Sequence, residues 1–164
     1  LTMRMFAEER KNGTEQLILT SPVSIVGVVF GKFLAAMAVI LVTALISLMY
    51  FGILSYFANP NIIELLVMIL GFVLVSGAAI SFGMFASSIT ENQIIAGVIT
   101  IAFLVLTLFL PDLGEGFPDI SIMNFYQKFP HGVISLTEVV SSVSFSAMFI
   151  AFTIIIMQRR KLVK

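Results

Sequence analysis

Residues 33–57 read Phe-Leu-Ala-Ala-Met-Ala-Val-Ile-Leu-Val-Thr-Ala-Leu-Ile-Ser-Leu-Met-Tyr-Phe-Gly-Ile-Leu-Ser-Tyr-Phe, without one charged side chain. A helix rises ~1.5 Å per residue, so about 20 residues cross the ~30 Å hydrocarbon layer of a bilayer. This run is long enough to cross with some tilt. With a moderately apolar lead-in from Val23, a first span is expected over about 23–57. Three further apolar segments follow, at about 62–87, 94–110 and 139–157. The third stops before Pro111 and sits at the short end of spanning length. None shows the alternating polarity of barrel strands, and only helices or closed barrels satisfy their backbone inside lipid. The predicted fold class is therefore all-α, a polytopic membrane protein with four transmembrane helices.

Composition agrees. The chain of 164 residues is 59% hydrophobic and 11% charged, whereas soluble domains carry roughly a quarter charged residues. There is no Cys, which excludes a disulfide framework and a thiolate metal site. The formal net charge is zero. The lipid bilayer is the expected surrounding, and no nucleic-acid partner is expected. Leu1 is not an initiator Met and no signal-peptide pattern precedes the first span. Residues 1–164 thus read as a single membrane domain, the C-terminal piece of a longer protein.

Lys and Arg set the orientation. Arg4, Arg10 and Lys11 precede the first span and Lys32 lies in its lead-in, ahead of the apolar run 33–57; Arg159, Arg160, Lys161 and Lys164 follow the fourth. Four spans return the chain to its starting side, so eight of the nine basic residues share one side. That side is predicted to be cytoplasmic, with both ends of the chain on it. The stretch 111–138 falls outside, carrying Asp112, Glu115, Asp119 and Glu138 against Lys128. Lys32 is expected to snorkel to the cytoplasmic headgroups.

The polar exception is 8–22, Glu-Glu-Arg-Lys-Asn-Gly-Thr-Glu-Gln-Leu-Ile-Leu-Thr-Ser-Pro. Residues 1–11 read as the end of an earlier helix, stopped by Asn12-Gly13. Thr14 can cap a second short helix through about Thr20. Ser21 at N-cap with Pro22 at N1 suits the start of the next helix. A plain solvated helix with i,i+4 charge pairs is the simpler reading of this stretch.

The head Arg4-x-x-Ala7-Glu8-Glu9-Arg10-Lys11-x-Gly13-Thr14-x-Gln16-Leu17-x-Leu19-Thr20-Ser21-Pro22-Val23, followed by Gly31-Lys32-x-x-Ala35, resembles the ABC-2 type permeases. These are the membrane subunits of ATP-driven ABC exporters, including a gliding-motility-like branch. Tyr126-x-x-Phe129-x-x-Gly132-Val133-Ile134-Ser135-Leu136-x-Glu138-Val139-Val140, with a last span ending in Arg159-Arg160, is similar to the tail of that branch. Asn124 and Ser135 depart from it. The resemblance covers essentially the whole chain and implies a six-span permease whose first two spans precede Leu1. It implies that residues 1–22 hold a cytoplasmic coupling helix that docks a separate ATPase subunit through Glu8, Glu9, Arg10, Lys11, Gly13, Thr14 and Glu15. It also implies a dimer with a second permease copy, and short re-entrant helices in 111–138 that plug its outer face. Tyr126, Phe129, Gly132 and Val133 would form that outer gate; a packed external cap is the simpler alternative.

The remaining motifs are sparse in chemistry. Gly27, Gly31 and Ala35 lie four apart on one helix face, which allows close helix approach. They serve packing within one subunit, a dimer seam or a translocation path. Ser76, Gly77, Ala78, Ala79, Ser81 and Gly83 are similarly small. No segment interior carries a charge, which argues against an ion-coupled carrier. No Gly-x-x-x-x-Gly-Lys-Ser/Thr loop is present, so ATP must bind elsewhere. His131 is the lone His, and scattered acids around it make a poor metal or catalytic case. No catalytic residue, metal or cofactor is expected. The reading is a permease that exports by conformational coupling to ATP hydrolysis in a partner. A membrane-embedded enzyme using His131 and the outer acids, or a non-transport scaffold, are the alternatives.

Overall fold

The structure, a computed structural model, describes residues 2–57, 61–109 and 136–163, without the side chains of Ile18, Leu19, Leu108 and Val163. The described residues are helical, with no strand among them. A 3-10 turn, Thr2–Arg4, precedes α1 (Ala7–Lys11) and α2 (Glu15–Thr20). Four longer helices follow: α3 (Ile25–Phe57), α4 (Ile62–Ile89), α5 (Gln93–Phe109) and α6 (Leu136–Val163).

Three of these, α3, α4 and α6, are long and apolar enough to cross a membrane. The third apolar segment forms the 17-residue helix α5, about 25 Å at the helical rise. Helix α6 begins at Leu136, inside the stretch expected to be external loop, because Leu136-Thr137-Glu138 continues the helix that follows. The outer-gate residues Tyr126, Phe129, Gly132 and Val133, together with His131, lie outside the described residues.

Helix α4 is the central element. Gly71, Gly77, Ala78, Ser81, Gly83, Ala86, Ser87 and Ser88 are buried along it, and small side chains let neighbouring backbones approach. Helix α6 packs on α4 in the same direction. Ser142 Oγ donates to the Leu74 carbonyl at 3.0 Å, and further along Phe149 meets Phe82 and Phe85. Helix α5 runs opposite to α4, with the Phe103 ring stacked on Phe82 at 3.7 Å between centroids. Six phenylalanines, at 82, 85, 103, 145, 149 and 152, thereby interlock three helices. Offset and edge-on rings add about 0.5–1.5 kcal/mol per pair beyond their burial.

Helix α3 also runs opposite to α4, placing Phe33 and Met37 against Gly77. Its packing thins along its length: Ile25, Val29, Ala36 and Ala44 are buried, whereas Met49, Tyr50, Ile53, Tyr56 and Phe57 toward its end are exposed. In water such a surface would be untenable, and its place is in lipid.

Three local details differ from expectation. The chain before Lys11 is not one helix. The Ser87 hydroxyl accepts from the amides of Phe6 and Ala7, at 3.1 and 3.0 Å, and donates to the Met3 carbonyl at 3.2 Å. In a continuous helix the Ala7 amide would bond the Met3 carbonyl and the Phe6 amide the Thr2 carbonyl, so a side chain from α4 has entered the ladder and broken it. Thr14 does precede α2, but its backbone is already α-helical and its hydroxyl caps nothing. Instead it donates to the Glu9 carbonyl at 3.2 Å. Helix α3 starts later than Pro22, with Ser24 as its cap, its Oγ accepting from the Gly27 amide at 3.2 Å. The stop at Asn12-Gly13 is as expected: Asn12 ends α1, and Gly13 turns with φ +72°, a conformation that favours glycine.

Candidate functional site

The head, residues 2–23, sits where the start of α3, the end of α4, the start of α5 and the end of α6 meet. Its attachment begins with apolar contact. Phe6 is only 2% exposed and joins the core formed by Ile25, Val29, Met84, Ile150 and Met157. The 3-10 turn lies over two glycines. A Cβ at Gly83 would come within 2.7 Å of Thr2 Cβ, and one at Gly97 within 3.1 Å of Met3 Sδ. These glycines are where the head's first turn touches α4 and α5.

Charge completes the attachment. Arg10 reaches the end of α4, its Nη1 donating to the Ile89 carbonyl at 3.0 Å. A cation on a terminal carbonyl satisfies a group the helix itself leaves unpaired. The Arg10 Nε lies 3.4 Å from Glu15 Oε2 and 3.8 Å from Glu91 Oε1. Glu15 is 8% exposed, and its other oxygen accepts from Arg160 Nη1 at 3.2 Å. Glu15 therefore ties α2 to α1 and to the end of α6. Lys32, expected to snorkel outward, turns to the head instead. It donates to the Met5 carbonyl, pairs with Glu9 and lies 4.4 Å from the centre of the Phe6 ring. The reason is local: a carboxylate, a carbonyl and a ring face surround the ammonium more closely than lipid headgroups could.

The seven head residues singled out in the sequence thus divide. Glu9, Arg10 and Glu15 form ion pairs within the chain, and Glu8 is half-buried. Lys11, Gly13 and Thr14 are exposed, continuing into Gln16 and Leu17, the latter 72% exposed. The internal pairs consume acids, so Arg4, Lys11, Arg159 and Lys161 stand among the exposed charges of this end. Gly27, Gly31 and Ala35 are all exposed, and a Cβ at Gly31 would meet nothing within 4 Å. This small-residue face packs against no described part of the chain.

Ser87, Phe6 and Arg160 are the anchoring residues that sequence reasoning missed. Ser87 is one of several small residues toward the end of α4, but nothing in the sequence pairs it with Phe6 eighty-one positions away. The site offers levers rather than reagents. Among the described residues no three His, Asp or Glu side chains gather as a metal site.

Residues 1–160 match the family model described as ABC-2 family transporter protein. No curated protein and no solved structure matches the chain.

Proposed function

We propose, from the premise that this chain belongs to the ABC-2 transporter family, that it is a membrane permease driven by a separate ATPase subunit. The membership and the three membrane-length helices make it a multi-pass membrane transport component. In the proposal α5 is a fourth span, the head end is cytoplasmic and the membrane is the plasma membrane. The direction of transport is export. Two copies pair through the exposed face of Gly27, Gly31 and Ala35.

The observation that carries the proposal is the division of the head. Its inner side is bound to α3 by Lys32–Glu9, to α4 by Ser87 and Arg10, and to α6 by Glu15–Arg160. Its outer side, Lys11 through Leu17 apart from Glu15, is exposed. A push on that outer side moves three long helices together, since packed elements shift as units. The ATPase contact is then Lys11, Gly13, Thr14 and the neighbouring Gln16 and Leu17, with Glu9, Arg10 and Glu15 transmitting from within. The mechanism is conformational: closure of the ATPase domains displaces the head, and the helices follow.

The test is recruitment of the ATPase subunit by the full-length permease, with ATPase activity measured in vesicles. Lys11→Glu and Leu17→Glu are expected to reduce co-purification and stimulated hydrolysis without lowering the permease melting temperature. Undiminished recruitment in both variants would remove the head as the docking element.

A further inference from the structure

An open groove runs between α3, α4 and α6, with a volume of about 390 Å³. Phe30 and Met37 form one wall, Leu74 and Gly77 the floor, and Ala147 and Ile154 the other wall. Its serines are turned to the backbone: Ser142 donates to the Leu74 carbonyl and Ser146 to the Ser142 carbonyl. What the groove presents is therefore almost wholly apolar, at a size that accepts a small ligand.

The α6 wall continues toward the head end. Residues seven apart share a helix face, two turns or about 10 Å along the axis. Seven residues beyond Ile154 is Lys161, exposed and in no ion pair among the described residues. Its neighbour Arg160 is turned to Glu15, and Arg159 lies on the opposite side of the helix by register. Thus one free cation stands in line with an apolar groove, at the end of a helix where basic side chains meet lipid headgroups. The matching ligand has an apolar chain and an anionic head.

We propose that this groove seats one acyl chain of an anionic phospholipid from the leaflet at the head end, with Lys161 against its phosphate. The site needs only that the helices lie in a bilayer, so it stands or falls separately from ATPase coupling.

The experiment uses the full-length permease in phosphatidylcholine vesicles containing phosphatidylglycerol or phosphatidylcholine with a photoactivatable diazirine on one acyl chain. Peptides carrying the label are mapped by mass spectrometry. Labelling is expected to concentrate on residues 30–37 and 143–154, and to favour phosphatidylglycerol. Ala147→Phe, which fills the groove, is expected to abolish that concentration. Lys161→Gln is expected to keep the label but reduce the phosphatidylglycerol preference about fivefold, the factor for one basic side chain at a membrane surface. If Ala147→Phe lowers the melting temperature, Ala151→Leu at the rim replaces it, with weaker labelling expected. Three results would overturn the proposal. One is labelling no denser than on the outward α5 residues Ile94, Val98 and Ile101. Another is indifference to both substitutions. The third is cross-linking of the groove to protein in place of lipid.

Discussion

Glu15 and Arg160 stand 145 residues apart in the sequence and meet at 3.2 Å, joining the head to the end of the last helix. Arg10 holds the other oxygen of the same carboxylate at 3.4 Å. Glu15→Gln keeps the shape and removes the charge shared by two guanidinium groups. The expected loss is about 1–3 kcal/mol, because partly buried partners are left uncompensated. A double-mutant cycle with Arg160→Gln should return a coupling of roughly 1 kcal/mol, given that Arg160 remains partly in solvent. A cycle that closes at zero would show that the pair carries no attachment.

Ser87→Ala deletes one hydroxyl that serves three backbone groups. Two amides, of Phe6 and Ala7, then lose their acceptor in a buried place. Each such orphan costs about 1–3 kcal/mol. Hydrogen exchange at residues 3–11 should accelerate at least tenfold, and trypsin should cut at Arg10 or Lys11 sooner, while the α4–α6 core exchanges as before. Unchanged exchange in the head would show that Ser87 is incidental to its docking.

Two glycines of α4 should respond oppositely to alanine. Gly83→Ala places a methyl 2.7 Å from Thr2 Cβ, and such overpacking costs about 1–3 kcal/mol. Gly77→Ala meets Met37 Sδ at 3.6 Å, an ordinary contact. It should be neutral or raise stability by up to about 1 kcal/mol through helix propensity. Melting temperatures in one detergent decide between them; the reverse order would contradict the close approach of the head at Gly83.

Gly31→Leu adds a side chain where nothing lies within 4 Å. The stability of the single permease should be unchanged or rise by up to about 1 kcal/mol, since leucine favours a helix interior over glycine. If the small-residue face is the dimer seam, the same substitution lowers the dimer fraction measured by mass photometry or single-molecule bleaching. An undisturbed dimer would assign the face to another partner.

The long helices were legible because lipid makes their code simple. Residues 33–57 and 62–87 carry enough uncharged length to dictate helix wherever they pack. Asn12-Gly13 was legible for an equally local reason, the positive φ that glycine allows. The head's interior was not. Residues 2–11 have helical propensity throughout, yet the chain breaks at Met5 and Phe6 because a hydroxyl from α4 takes the helix bonds for itself. Lys32 looked like a snorkelling cation because sequence cannot show Glu9 and the Phe6 ring folded back upon it.

The sequence by itself determined an all-helical membrane chain, its basic ends and a polar head whose pattern resembles the family to which it belongs. Hydropathy and charge are sums over local residues, so they survive without a fold. The tertiary structure decided which of the head's charges face inward. Glu9, Arg10 and Glu15 differ little from Glu8 and Lys11 as letters, but a few ångströms of placement give the first three partners at the ends of distant helices. Ion pairing falls off with distance and exposure, and distance between residues 15 and 160 exists only in the folded chain.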